Sequence, residues 1–293
     1  MQRQLAAAAT ARADAAGPRV SQSLKEYGRG LAGGLIVSLP LLYTMEMWWA
    51  GFSLSPWRLL AAVGVTFALL LGYNRFAGLR EDATWSEVAI DSVEELGLGF
   101  VTAALVLWLL GRITADMPPD EVVGKIVLEA LVVSIGVSVG TAQLGGEDDE
   151  GGMAGEEQGA GGEVNFAEQL VLGVCGAVLF AINVAPTDEI AVIALEIGAW
   201  RLLALMLLSL ALGGVVLYFS EFSGTRQFVR NEGAGHVLRG TVTTYAVALA
   251  VSAAILWFFG RFDGLALAAC VAQSVVLGVA ATLGASAGRL LLQ

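Results

Sequence analysis

Oxygen-bearing side chains stand along this chain in places where an apolar sequence has reason to exclude them. Glu46, Glu129, Asp188 and Glu189 lie within or at the ends of long apolar stretches, with Thr44 two residues before Glu46 and Thr187 two before Glu189. Carboxylates and hydroxyls are hard donors, suited to a proton or a hard cation and not to soft-metal chemistry. A charged group near the centre of a bilayer costs about 2.5–3.5 kcal/mol on insertion scales, so each acid requires a reason. Glu46, Glu129, Asp188 and Glu189 therefore read as cation-binding or relay groups, with Thr44 and Thr187 as supporting oxygens. Gln273 reads as a neutral partner. Asp91, Glu94 and Glu95, at i, i+3 and i+4, share one face of a helix end and read as an inner mouth. The spacing names no metal.

Blander roles fit the same residues. Lys125 stands one turn from Glu129, a spacing that permits a structural ion pair. Glu46 and the Asp188–Glu189 pair are placed to complement helix dipoles at a membrane interface. The acids at 91–95 also suit a solvated helix start.

The chain repeats itself. Glu46 precedes Trp57-Arg58-Leu59-Leu60 by eleven residues, and Glu189 precedes Trp200-Arg201-Leu202-Leu203 by the same distance. Leu107-Trp108 to Gly111-Arg112 is answered by Leu256-Trp257 to Gly260-Arg261, and residues 129–142 by 273–286, which sets Gln273 against Glu129. A repeat written in apolar segments is a common plan for transporters and channels. Pro40 interrupts the first segment, and Asn183 and Pro186 the fifth, so a broken helix is expected in both halves. Pro186-Thr187-Asp188-Glu189 reads as the start of a new helix, with Pro at its first position.

These residues need an all-α, polytopic membrane bundle to position them. Apolar residues make up 56% of the chain and charged ones 15%, with a mean hydropathy of +0.72; soluble domains carry about 25% charged residues. A crossing takes roughly 20 apolar residues. Eight segments qualify: 30–52, 57–75, 89–111, 122–142, 167–189, 199–219, 240–260 and 264–288. They group as two tandem, non-inverted four-helix repeats, 30–142 and 167–293, after an N-terminal arm (1–29) and around an acidic, Gly-rich linker (143–166). Eleven Lys and Arg fall on one side and five on the other, which places both termini in the cytoplasm of a multi-pass protein of the cell's inner membrane. Trp48, Trp49, Trp57, Trp108, Trp200 and Trp257 all map to the outer ends of segments. Pairs such as Gly30/Gly34, Gly136/Gly140 and Gly284/Gly288 mark close helix approaches.

Much of the net charge of -11 sits in the linker, so it describes a solvated loop and no binding face. Nothing basic and aromatic suits nucleic acid. Cys175 and Cys270 lie in apolar segments, and the single His236 cannot build a zinc site. No GxSxG turn, phosphate loop or cofactor motif is present, so an enzyme is not expected. The expected function is a cation channel or transporter, for protons or a metal cation. The alternative is a non-transporting scaffold or sensor, using the linker and arm for cytoplasmic partners; a lipid-acting membrane enzyme stands third. Membrane lipid is the expected partner, with self-association open.

The segments LPLLYTMEMWW (39–49) and NVAPTDEIAVIA (183–194) resemble a family of uncharacterised bacterial integral membrane proteins, a domain of unknown function. The resemblance covers nearly the whole chain outside the arm and linker. It implies membrane identity and carries no activity. The Pro-Thr-Asp-Glu run is also similar to the Pro-Glu elements of cation/calcium exchangers, but their longer Gly-Asn motifs and inverted repeats are absent.

Overall fold

A computed structural model describes residues 25, 27–78, 83–143, 166–224 and 229–290. Residues 144–165 of the acidic linker and most of the N-terminal arm lie outside these, so the roles expected of them do too. Among the described residues the fold is all-α, with ten helices. They are α1 (Tyr27–Leu42), α2 (Met45–Ser53), α3 (Pro56–Ala77), α4 (Trp85–Leu109) and α5 (Pro119–Gln143) in the first half. The second half holds α6 (Phe166–Ile182), α7 (Glu189–Glu196), α8 (Ala199–Gly224), α9 (Val229–Phe258) and α10 (Leu267–Leu290).

Local chemistry sets the helix limits. Pro56 opens α3 directly after Ser55, where a missing N–H costs nothing. Thr84 and Glu87 close a reciprocal capping box at the start of α4. The repeated Leu-Trp-x-x-Gly-Arg run proves to be a helix stop. Gly111 and Gly260 adopt φ of 67° and 72°, a conformation open to glycine. Arg112 N–H then reaches the Leu107 carbonyl at 2.8 Å, and Arg261 N–H the Leu256 carbonyl at 2.9 Å. These bonds, with Gly111 to Trp108 and Gly260 to Trp257 at 3.0 Å, satisfy carbonyls that a helix end leaves bare.

Among the described residues six helices are long and apolar enough to cross a membrane: α3, α4, α5, α8, α9 and α10. The pair α1 and α2, bent by 86° across Tyr43 and Thr44, makes a seventh if counted as one span. α6 is apolar but only 17 residues long, short of a straight crossing. Length and composition thus support six to seven spans where the sequence suggests eight. The expected 30–52 segment is two helices, and Asp120 and Glu121, expected in a loop, occupy the first turn of α5.

Two helices organise the packing. α5 lies against α1, α2, α3 and α4, while α10 lies against α6, α7, α8 and α9. Glycine makes the closest approaches possible. Gly33 and Gly34 of α1 meet Gly136 and Gly140 of α5, and Gly176 of α6 meets Gly284 and Gly288 of α10; a Cβ at Gly33 or Gly176 would run into backbone. One apolar core gathers Leu41, Met47, Leu128 and Val132 with Ala177, Ile190, Leu256 and Leu277, so both halves build it.

Candidate functional site

Glu129 is the deepest acid, 1% exposed in the middle of α5, and neither carboxyl oxygen has a hydrogen-bond partner. Helical geometry gives its direction. At about 100° per residue it falls within about 20° of Gly136 and Gly140, on the stripe that α1 covers. Gly34 of α1 meets Val133, and Gly30 meets Val137 and Thr141, so the two helices run antiparallel. One more turn sets Glu129 level with the last turn of α1, where Pro40 lies and the helix ends. The Lys125–Glu129 pair that the spacing permits does not form. Lys125 reaches Glu121 at 2.5 Å and the Arg112 carbonyl at 3.2 Å instead.

Gln273 in α10 is also 1% exposed, with Oε1 unpartnered and Nε2 3.5 Å from the Arg261 carbonyl. Its register against Gly284 and Gly176 puts it level with the turn between α6 and α7. Each break thus faces a buried polar side chain, with a charge in only one case.

The shallower acids have other surroundings. Glu46 is half-buried in the first turn of α2. Thr44 precedes α2 without capping it, because its hydroxyl donates back to the Pro40 carbonyl at 2.7 Å. Asp188 is the residue before α7 and pairs with Arg261 at 2.7 Å, while the same guanidinium bonds the Pro186 carbonyl. Pro186 therefore sits in the turn, not at the first helical position expected for it. The Thr187 hydroxyl donates to the Val184 carbonyl at 2.8 Å, and Glu189 is exposed. Among the described residues no three of His, Cys, Asp or Glu come together as a metal site.

A second polar centre lies at the opposite end of α5. Glu95, 8% exposed, accepts a hydrogen bond from Asn74 Nδ2 at 2.7 Å. The same amide nitrogen lies 3.1 Å from Ser92 Oγ, and the Ser138 hydroxyl donates to Asn74 Oδ1 at 2.7 Å. Three helices, α3, α4 and α5, thus fix one carboxyl group. This cluster borders a cleft of about 80 Å³ that Asp91, Glu94 and Tyr27 also line, with no Lys or Arg among the described residues of its wall. That volume holds a few waters. Asp91, Glu94 and Glu95, the acids read from the sequence as an inner mouth, all border this cleft. Asn74 and Ser138 join the site only in the structure; the one sequence signal is an Asn near the end of an apolar segment.

Long apolar helices, a broken first helix and carboxyl groups buried among them define an α-helical, multi-pass integral membrane protein. The chain belongs to the family described as integral membrane protein (DUF2391), whose function is unknown and which it matches over residues 26–292. No curated protein and no solved structure matches it.

Proposed function

We propose that this protein moves a cation across the membrane and admits it at the cleft between α3, α4 and α5. The observation that carries the reading is Glu95: a carboxyl group sunk among apolar helices, held by Asn74, and bordering a cleft that two more acids line. Acids within membrane segments are costly to keep and mark ion or proton paths far more often than structural pairs. The cleft concentrates positive charge through Asp91 and Glu94, and Glu95 offers it a dehydrated ligand. No bond-making chemistry is assigned to the site.

The duplicated plan belongs to the same reading. The pair α6 and α7 answers α1 and α2, and α8 to α10 answer α3 to α5, which makes eight segments related without inversion. Under that plan Gly240, Thr243 and Thr244 answer Asp91, Glu94 and Glu95, so only the first half carries the acidic mouth.

The test is cation flux into liposomes containing the purified protein, with sodium, potassium, calcium and proton gradients imposed in turn. Glu95→Gln and Asn74→Leu should each slow uptake about tenfold or more, the worth of one charge-assisted hydrogen bond or ligand. If no cation moves faster than in empty vesicles, or if both variants match the unaltered protein, the proposal is wrong.

A further inference from the structure

We propose that Glu129 is a proton-binding station in the centre of the first half, which takes a proton from water and gives it back there. Four observations meet here. The carboxyl group is 1% exposed and both oxygens lack a partner. Its nearest candidate cation, Lys125, is turned outward to Glu121 and the Arg112 carbonyl. The face of α5 that carries it is the face covered by α1. The part of α1 level with it, residues 37–42, offers no cation, and its one hydroxyl, Ser38, already donates to the Gly34 carbonyl at 2.7 Å.

A bare carboxylate in that position would cost several kcal/mol and would also face the negative end of the α1 dipole. A metal cation would relieve this only with several more oxygen ligands, and among the described residues no metal-holding cluster exists. One proton suffices. The carboxylate takes a proton from a hydronium ion, an O–H bond forms, and a water molecule is left. On release the O–H bond breaks and the proton returns to water. Among the described residues no other titratable group shares the position. Residues 35–42 of α1 contain none. α2 contributes Glu46, half-buried in its first turn. Arg58, Tyr73 and Arg75 of α3 lie toward the helix ends, and Glu95, the deepest acid of α4, is held by Asn74 beside Ser138, about two and a half turns along α5 from Glu129. Glu168 and Cys175 of α6 lie in its first three turns, with the Cys175 thiol 3.7 Å from the Leu69 carbonyl.

Gln273 fits as the uncharged counterpart, able to hold a hydrogen bond at the second break but unable to carry a proton. One proton per chain follows. Coupling of that proton to cation movement rests on the transport reading above; the binding of the proton does not.

Infrared difference spectra of the purified protein in lipid, recorded as the pH is stepped and repeated in heavy water, test the binding directly. A carboxylic C=O band that shifts in heavy water should disappear in Glu129→Gln and persist in Glu95→Gln. Glu129→Asp should move the band without abolishing it. A band unchanged in Glu129→Gln, or no such band at any pH, overturns the proposal even if cations are transported. Loss of the band in Glu129→Gln sustains it even if no flux is found, in which case the transport reading alone fails.

Discussion

Lys125 shows how a single residue hides its choice from sequence. Glu121 and Glu129 flank it at four residues either way, so helical spacing alone is indifferent between them. The ammonium goes toward the end of α5 because Glu121 and the Arg112 carbonyl lie there, and a long side chain favours the more polar direction. Glu129 is left alone as a result. Arg261 makes a comparable choice that carries a prediction. Its guanidinium holds both the Asp188 carboxylate and the Pro186 carbonyl, which fixes the turn between α6 and α7. Lysine cannot span two acceptors in that planar geometry. Arg261→Lys should therefore destabilise the protein by about 1–2 kcal/mol, discounted for the exposure of Asp188. Asp188→Asn should cost less, because the Pro186 carbonyl keeps its donor. Thermal unfolding of both variants in one detergent reads the order, and an Asp188→Asn loss equal to the larger one would show that the carbonyl bond adds nothing. Asn74 was hidden for a different reason: it lies in the last turns of an apolar segment, where an amide commonly meets water, and only the packing of α4 and α5 encloses it.

At the level of helices, the breaks and the close approaches were both legible, but their partners were not. Pro40, Asn183 and Pro186 mark where straight helices fail. The bend itself comes a little later, at Tyr43 and Thr44, because proline disturbs the turn before it and the helix closes once more before ending. Small residues four apart in Gly30/Gly34, Gly136/Gly140 and Gly284/Gly288 identify faces that admit another backbone. Spacing cannot say which backbone arrives, and Gly33 and Gly176, without a matching small residue of their own pattern, were missed. Both contacts make a sharp prediction. Gly33→Val and Gly284→Val place side chains against the backbone of Gly136–Gly140 and of Gly176, which cannot turn aside as a flexible side chain would. Overpacking of this kind costs about 1–3 kcal/mol or more. Gly64→Ala, where no atom lies within 4 Å of the added methyl, should be neutral or slightly stabilising. The fraction surviving heating as a single species on size exclusion separates them, and equal survival of all three would mean the glycine contacts are not tight.

On the scale of the molecule, the question is whether the two halves of the chain can stand apart. The packing says they cannot. The main core mixes Leu41, Leu128 and Val132 with Ala177, Leu256 and Leu277. Gly72 of α3 meets Val171 of α6, and Arg58 lies 5.5 Å from the Trp257 ring and 3.8 Å from Asp263. In a bilayer the hydrophobic effect contributes little to helix association, so such close contacts and polar links must hold the halves together. The connection between α5 and α6 contributes covalent continuity, which sets effective concentration and not the contact itself. A chain divided at residue 155 should therefore reassemble: residues 1–155 and 156–293, made together in one membrane, should copurify through a tag on either piece. Each made alone should aggregate or be degraded, because it exposes Gly72 and Leu128 on one side and Val171 and Leu277 on the other without their mates. Arg58→Ala should weaken the recovery of the divided protein more than the stability of the intact one, since only the former depends on every contact between pieces. Stable, monodisperse recovery of residues 1–155 alone would mean that the first half, with its cleft and Glu129, is a complete unit and that the common core is dispensable.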